Sequence, residues 1–238
     1  YMLIVMGVQT LMTAMFNSMN AGIGNLVAEG DKRKIMSVFA ELFSIRFLFS
    51  CIMCFGVLMI TPAFVSFWIG KKYVMDSLSL LLMTAILFVN LSRTTVDAYI
   101  NAYGLFGDIW APIVEASLNV GLSIILGYYF GLHGVLSGVL ISLLLVVFCW
   151  KPYYLFRKGL DERLSIYIFM YARHLMAALL CGVIVCLGVR DSMVQGDTTF
   201  FDGLLGILVF SILSTLTLLC VAPGMRNLMR RFIRMCHV

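Results

Sequence analysis

Polar side chains at helical spacing, inside long apolar segments, are the residues of this sequence whose types and spacing could do chemistry. One row consists of Asn90, Arg93, Asp97 and Asn101, at spacings of 3, 4 and 4 residues. Residues three and four apart share a face of a helix, so Arg93 and Asp97 are predicted to form an i,i+4 ion pair. Ionisable residues within an apolar segment mark a candidate functional site.

Two further rows follow the same spacing, and another segment adds a glutamate and an arginine. These residues are Glu115, Asn119 and Ser123, then Gln9, Thr13, Asn17 and Asn20, then Glu41 and Arg46. Polar groups against lipid raise the free energy unless they face protein or water, so the rows predict a water-filled cavity between helices. Its predicted lining is Arg46, Arg93, Asn90, Asp97, Asn101, Glu115, Asn119, Gln9 and Asn17. The competing interpretation is a packed ion cluster that binds no ligand and fixes the helix register.

Catalytic and metal-binding patterns are not evident in the sequence. The three histidines, His133, His174 and His237, are isolated from one another, and no Ser/His/Asp order or glycine-rich phosphate loop is present. Cys51 and Cys54 have the spacing of a redox or zinc motif, but no second Cys/His pair follows to complete a metal site. We therefore expect a protein that is not an enzyme and holds no metal.

The elements that must position the polar rows follow from composition. The 238 residues are 62% hydrophobic and 12% charged, with a mean hydropathy of +1.01 and a net charge of +5. A soluble domain carries about 25% charged residues, so the bilayer is the expected solvent. The modest, scattered positive charge does not indicate a nucleic-acid binder, and disorder would require low hydrophobicity.

Seven apolar segments are each long enough, or nearly so, to cross a bilayer, which takes about 20 helical residues. The fold class predicted is therefore an all-α polytopic membrane helix bundle of about seven transmembrane helices. The segments are residues 1–27, 39–68, 78–103, 110–130, 135–150, 166–189 and 200–222. Residues 1–223 are expected to form the seven-helix domain, and residues 224–238 a basic amphipathic cytoplasmic tail.

The orientation is predicted from the basic residues of alternate loops. Eleven Lys and Arg lie on one side, in residues 32–34, 151–163 and 226–234, against three on the other, Lys71, Lys72 and Arg190. The positive-inside rule places the richer side, with the C-terminus, in the cytoplasm. The tail from Met225 to Arg234 is expected to cap that side, and a sharper hypothesis makes it an interfacial helix held by anionic phospholipid.

Small residues predict a tight hairpin between the fourth and fifth segments. Gly127 and Gly131 end one segment, and Gly134 and Gly138 open the next. Such small-xxx-small spacing lets two helix backbones approach closely. His133, within the connection, is expected to be a turn residue at the outer surface rather than a proton relay.

Several stretches resemble polysaccharide flippases of the multidrug/oligosaccharidyl-lipid/polysaccharide (MOP) exporter superfamily. The stretches are residues 21–31 (AGIGNLVAEGD), 99–104 (YINAYG), 108–115 (DIWAPIVE), 118–121 (LNVG) and the hairpin residues 131–134 (GLHG). The resemblance covers residues 21–158, and the last two segments are similar only in hydropathy. It implies a fourteen-helix fold of two lobes and a final helix pair, in which this chain corresponds to helices eight to fourteen. An N-terminal lobe is then expected to be missing, in keeping with Tyr1 opening inside an apolar run.

The function that this resemblance implies is the flipping of an undecaprenyl-pyrophosphate-linked O-antigen or capsule repeat unit across the bacterial inner membrane, from the cytoplasmic to the periplasmic leaflet. Cationic lumenal residues of the family hold the anionic head group, and Arg46, Arg93 and, more weakly, Arg173 are the positions here that could do so. The implied partners are the lipid-linked oligosaccharide, the N-terminal lobe and other polysaccharide assembly proteins. No cofactor is implied beyond a coupling ion, Na⁺ or H⁺.

Three alternatives remain open at the level of sequence. A cation-coupled drug exporter of the same fold would use Asp97 or Glu115 to bind Na⁺ or H⁺. A membrane-embedded polysaccharide polymerase or ligase would need a large outward loop, and residues 190–199 are too few to form one. A purely structural membrane subunit would use the polar rows as helix contacts.

Overall fold

The structure, a computed structural model, describes residues 1–194 and 200–236, and all regular secondary structure in these residues is helical. The α-helices are α1 (Met2–Glu29), α2 (Lys32–Trp68), α3 (Ser77–Ser92), α4 (Thr94–Ala102), α5 (Trp110–Leu143), α6 (Lys151–Leu155), α7 (Leu164–Val194), α8 (Phe200–Val221) and α9 (Pro223–Cys236). Two π-helical segments, Leu144–Trp150 and Phe156–Leu160, flank α6, and short 3-10 helices occupy Lys71–Tyr73 and Phe106–Asp108. The predicted all-α class is confirmed. His237, named above, lies outside the described residues.

Six helical stretches within the described residues are long and apolar enough to cross a membrane. They are Met2–Glu29, Lys32–Trp68, Ser77–Ala102, Trp110–Leu160, Leu164–Gly188 and Gly203–Val221. The fourth stretch contains 51 residues, twice the length of a single crossing, and reverses direction within itself. The chain is therefore a multi-pass membrane helix bundle with up to seven crossings.

The reversal is at Gly131, whose φ of 59° and ψ of −136° lie outside the helical region. Gly138 lies against the backbone of Ser123, and the Ser123 hydroxyl donates a hydrogen bond to the carbonyl oxygen of Val135 at 3.3 Å. Fifteen residues of straight helix would separate positions 123 and 138 by about 22 Å. The predicted hairpin is therefore confirmed, with residues 110–130 as its first arm and 132–160 as its second.

The second arm extends ten residues beyond the predicted end of the fifth segment at Trp150. A loop was expected over Lys151–Ser165, and this prediction is wrong, because helix continues to Leu160. Charged residues such as Lys151 interrupt the run of apolar residues, but they do not break the backbone hydrogen bonds of a helix. Pro152 lacks an N–H and its ring would clash with a carbonyl one turn earlier, and the wider π-helical turn before it accommodates that defect. Asp161, with a left-handed φ of 54°, terminates the arm.

Helix α2 begins at Lys32, seven residues before the predicted start of the second segment at Phe39. The Asp31 carboxylate accepts hydrogen bonds from the backbone N–H groups of Arg33 and Lys34, at 3.0 and 3.2 Å. These are helix-capping bonds, which satisfy donors that the first turn would otherwise leave open. The three basic residues therefore form the first turn of a helix instead of a loop.

The chain divides into two compact units. The first comprises residues Tyr1–Val5, Met36–Val74 and Ile168–Val238, and the second comprises Met6–Ile35 and Met75–Tyr167. In the second unit, α3 packs along α5 and α4 packs against α6, and Val89, Leu143 and Val147 form a buried apolar cluster. This packing places one face of α3 and α4 beside both arms of the hairpin.

The first unit is built on α2, α7, α8 and α9. Leu48, Ala177, Leu218, Ala222 and Met225 form its apolar cluster, which includes the start of α9. Gly224 lies against the carbonyl of Ala40, and Arg231 Nη2 lies 3.3 Å from the carboxylate of the buried Glu41. The basic tail is therefore a helix, α9, whose residues Gly224 and Arg231 contact α2.

Two hydrogen-bonded side-chain pairs in the second unit each join two loops that the predicted topology places on the same side of the membrane. Lys32, after the first crossing, donates a hydrogen bond to Asp161, after the fifth, at 2.9 Å, and this bond lowers the pKa of Asp161. His133 Nε2 lies 2.7 Å from Asp76 Oδ2, joining the connections after the fourth and second crossings. The His133 hydrogen bond, with one from the Ser79 N–H, holds the pKa of Asp76 well below its usual range. Both pairs agree with the predicted alternation of the loops.

Candidate functional site

Four charged side chains from three helices meet in the second unit, and we call them the four-charge cluster: Arg93, Asp97, Glu115 and Lys151. Arg93 Nε lies 3.4 Å from Asp97 Oδ2, and Arg93 Nη1 lies 3.7 Å from Glu115 Oε1. Lys151 Nζ donates a hydrogen bond to Asp97 Oδ1 at 2.7 Å. The side chains are only 17–29% exposed, so the cluster is half-buried among membrane-crossing helices.

Arg93 and Asp97 are positioned by the nearly continuous helix that α3 and α4 form. Arg93 stands between them with φ −70° and ψ −19°, and the Asp97 N–H still donates to the Arg93 carbonyl at 3.1 Å. The i,i+4 geometry is therefore kept across the junction, and the predicted ion pair is present. On the opposite face Thr95, Val96 and Tyr99 are buried, which leaves the charged face toward the hairpin arms.

Glu115 and Lys151 come from the two arms of the hairpin, Glu115 on the first and Lys151 on the second. The reversal at Gly131 brings these residues, 36 positions apart, to the same level of the bundle. The hydropathy pattern predicts a loop at Lys151 and does not connect this residue with Asp97. Its position directly after the last apolar residue of a segment, at the same membrane end as Asp97, was the signal available.

The cluster carries two positive and two negative charges, yet its contacts differ in strength. The Lys151–Asp97 hydrogen bond has the length of a charge-assisted bond, about 2.7–2.9 Å, whereas both contacts of Arg93 are longer. Arg93 therefore neutralises the charge of Asp97 and Glu115 without a short hydrogen bond to either carboxylate. Its five N–H donors form only long contacts with these two groups. A guanidinium in this state can bind the oxygens of a phosphate in a planar, bidentate manner.

The asparagines of the predicted rows extend the charged face. Asn90 is half-buried, with its amide donating to the Ile86 carbonyl at 3.0 Å, and Asn101 is exposed one turn beyond Asp97. Asn119 is half-buried and accepts a hydrogen bond from Ser123 at 3.3 Å. Amide groups at these positions offer donors and acceptors for hydroxyl groups. The row on α1 lies along an open groove that includes Gln9, Thr13 and Asn17. A single cavity joining all the rows stays a prediction.

Arg46 and Glu41 belong to the first unit. The Arg46 side chain is 2% exposed, and Glu41, 3% exposed, accepts a hydrogen bond from Ser37 at 3.1 Å and pairs with Arg231. Arg173, the third cationic candidate, is half-buried in the same unit, with its guanidinium carbon 5.9 Å from the centre of the Phe169 ring.

An aromatic group borders the four-charge cluster on the hairpin. The rings of Trp110 and Trp150 meet edge to face with centroids 4.6 Å apart, and Trp150 stacks on Tyr154 at 6.2 Å. Trp110 lies five residues before Glu115, and Trp150 directly precedes Lys151. The contact between the two tryptophans depends on the hairpin, because it joins the first arm to the second. Flat aromatic rings beside amide and charged groups are typical linings of ligand sites.

Further contacts join the loops at the end of the second unit where the four-charge cluster lies. Lys32 and Asp161 pair there, and a side chain at Gly159 would touch Tyr103 and Leu105, the residues that follow α4. Partial burial raises the pKa of Tyr103. In the part of the chain that is described, no three His, Cys, Asp or Glu side chains are grouped so that they could hold a metal ion.

No protein-family model, curated protein or solved structure matches this chain. The function has to be inferred from the chemistry of the four-charge cluster and its surroundings.

Removing either partner of the short Lys151–Asp97 pair is expected to destabilise the second unit. Asp97→Asn and Lys151→Gln should each lower the free energy of unfolding by about 2 kcal/mol, because the first leaves the half-buried Lys151 without a carboxylate and the second leaves Asp97 with only its longer contact to Arg93. The double variant should lose at least about 1 kcal/mol less than the sum of the single losses, since the two groups interact directly. Reversible unfolding in mixed detergent micelles measures these differences.

The exposed pair Lys32–Asp161 is the matched control, because its side chains are 69% and 77% exposed. Lys32→Gln and Asp161→Asn should leave the unfolding transition unchanged, since exposed ion pairs contribute little. Additive losses for Asp97→Asn and Lys151→Gln would contradict the pairing.

Proposed function

We propose that this protein is part of a non-enzymatic transporter that flips undecaprenyl-pyrophosphate-linked polysaccharide repeat units, the precursors of O-antigen or capsule, from the cytoplasmic to the periplasmic leaflet of a bacterial inner membrane. The observation that carries the proposal is Arg93, a half-buried cation in a membrane-crossing helix whose contacts with Asp97 and Glu115 are long. The family resemblance of residues 21–158 supports the same assignment.

The physical argument concerns the head group of the substrate. A pyrophosphate cannot enter hydrocarbon unaided, because transferring its charge out of water is prohibitively unfavourable. Arg93 offers bidentate donors to phosphate oxygens, and the amides of Asn90, Asn101 and Asn119 offer hydrogen bonds to sugar hydroxyls. The polyprenyl tail stays in the bilayer throughout. The polar site therefore needs to enclose only the head group.

Transport then requires the site to open to one side of the membrane at a time. In the proposal this seven-helix lobe rocks against a second, N-terminal lobe, and the head group is carried between them by alternating access. The carboxylates of Asp97 and Glu115 would compete with the substrate for Arg93. Neutralising them with H⁺ or Na⁺ would release the guanidinium, which is one route to ion coupling. Other polysaccharide assembly proteins would deliver the substrate and remove it.

The test is loss and restoration of the protein in its native strain. Without it, lipid-linked repeat units should accumulate in the inner leaflet and surface glycan should be lost, and expression of the wild-type protein should restore both. The leaflet is assigned by labelling the glycan in intact and permeabilised spheroplasts. Normal glycan display in the deletion strain would refute the proposal.

The second candidate is a cation-coupled drug exporter, which the half-buried carboxylates Asp97 and Glu115 favour as ion ligands. That function predicts higher sensitivity of the deletion strain to cationic dyes and slower dye efflux, with the surface glycan unaltered. The same pair of strains therefore separates the two functions.

A further inference from the structure

Arg173 interrupts an apolar stripe on the outer face of α7. Phe169, Met176 and Leu180 are 69%, 59% and 60% exposed, and their spacing from Arg173 places all four on one helical face. The buried face of the helix carries Tyr171, His174 and Cys181, and Ala177 lies at its edge, one turn after Arg173. A stripe of large exposed apolar side chains on a membrane-crossing helix faces lipid, so Arg173 is a cation on a lipid-facing surface.

The Arg173 side chain extends toward the start of α7. Its guanidinium carbon lies 5.9 Å from the centre of the Phe169 ring, one turn earlier in the helix. Since α7 begins at Leu164, Arg173 is about 14 Å from that end of the helix, at 1.5 Å per residue. Reaching back by one turn moves the charge toward that end of the helix, the direction in which arginines snorkel to reach the lipid head groups.

Arg226 on α9 and Arg173 on α7 flank the same buried apolar cluster. Ala177 is one turn after Arg173, Ala222 is one turn before Arg226, and both alanines belong to the same buried cluster. Their packing places Arg173 and Arg226 at the edge of the same α7–α9 contact. Among the described residues no carboxylate pairs with either guanidinium, and the Arg173 Nε is buried without a hydrogen-bond partner.

Beyond Arg226, the outward face of α9 carries exposed apolar side chains beside a further exposed arginine, Arg230. Met229 and Ile233 are 41% and 51% exposed, three and seven residues after Arg226. Two arginines that repel each other are therefore flanked by exposed apolar surface on both helices. A ligand that suits this surface has one anionic group and a long apolar part.

We propose that Arg173 and Arg226 form a binding site for an anionic phospholipid, with its phosphodiester between the two guanidinium groups and an acyl chain along Phe169, Met176 and Leu180. A phosphate there removes the repulsion between the arginines and satisfies the donors of Arg173. This site is separate from the proposed transport function, because it lies in the first unit and on its lipid-facing surface. It holds α9 against α7 at the membrane surface.

The test measures lipid binding to the purified full-length protein in detergent micelles by native mass spectrometry. The probes are phosphatidylglycerol, phosphatidylcholine and inorganic phosphate. Phosphatidylglycerol should bind tightest, and Arg173→Gln and Arg226→Gln should each weaken its binding at least about fivefold, the contribution expected of one basic residue at an anionic surface. The double variant should lose less than the product of the single effects, since both arginines bind one phosphate.

Two variants of the same tail serve as controls. Arg234→Gln removes an equal charge from the exposed end of α9 and should leave phosphatidylglycerol binding unchanged. Arg231→Gln breaks the contact with Glu41 and tests whether loosening α9 is by itself sufficient to lose the lipid. Equal losses in Arg226→Gln and either control would overturn the site. Displacement of the lipid by millimolar inorganic phosphate would overturn the choice of a lipid and assign the site to free phosphate.

Discussion

Replacing Arg93 by alanine is expected to reduce delivery of lipid-linked glycan to the cell surface by at least about tenfold, because a charge-assisted bidentate contact with phosphate contributes about 1.5–3 kcal/mol. Arg93 is the cation of the four-charge cluster whose carboxylate contacts, at 3.4 and 3.7 Å, leave its donors most available. Lys151 already donates its 2.7 Å hydrogen bond to Asp97. The measurement is surface glycan per cell, together with the leaflet distribution of the lipid-linked repeat unit.

Two companion variants make this result specific to phosphate recognition. Arg93→Lys keeps the charge but loses the planar fork of donors, so it should retain an intermediate activity. Arg33→Gln removes an exposed arginine of α2 and should behave as the wild type. The amount of each variant in the membrane is measured with an epitope tag, which separates loss of transport from loss of protein. Wild-type glycan display by Arg93→Ala at normal abundance would count decisively against a role for Arg93.

The largest effect on folding is expected from Gly134→Ala in the second arm of the hairpin. A Cβ added at Gly134 would overlap the carbonyl group of Leu126, and it would come within 2.9 Å of the Gly127 nitrogen. These are backbone atoms of the facing helix, so no rotamer change can relieve the overlap and the arms must separate. We expect a loss of at least about 3 kcal/mol in the free energy of unfolding, at the upper end of what overpacking costs. Unfolding in mixed micelles measures it.

Gly121→Ala is the matched control, because Gly121 lies on the first arm and a Cβ there meets no atom within 4 Å. It should unfold like the wild type or with slightly greater stability, since alanine is the better helix former. Gly138→Ala should resemble Gly134→Ala, because its Cβ would lie 2.7 Å from the Ser123 nitrogen. Unchanged stability in both Gly134→Ala and Gly138→Ala would contradict the close contact of the two arms.

Two parts of the candidate site could be predicted, because each depends on residues that are close together in the sequence. The Arg93–Asp97 pair follows from a spacing of four on one helix, and the hairpin follows from the small residues around Gly131. Both depend on neighbours within one or two helical turns. The Lys151–Asp97 contact could not be predicted in this way, since it joins residues 54 positions apart and depends on which faces of α4 and α6 meet.

The end of the second arm of the hairpin could not be predicted from hydropathy, for a different reason. Hydropathy falls at Lys151, and Pro152 suggests a helix end, so the pattern predicts a loop where helix continues to Leu160. A hydropathy pattern reports which residues prefer lipid, whereas a helix ends only when its backbone hydrogen bonds end. The π-helical turn Leu144–Trp150 allows the helix to continue past Pro152, and no side-chain pattern in the sequence predicts that turn.

The sequence by itself determined the multi-pass membrane character of this protein, its all-helical class and the polar faces of individual helices, because each of these depends on composition and on spacings of three or four residues. Only the tertiary structure decided which polar faces meet. It joined Lys151 and Glu115 to the Arg93–Asp97 pair, and it placed Arg173 and Arg226 at the edge of one apolar cluster. Helix–helix contacts depend on rotation and register, which small residues and side-chain volumes set jointly across distant parts of the chain, and no local pattern contains that information.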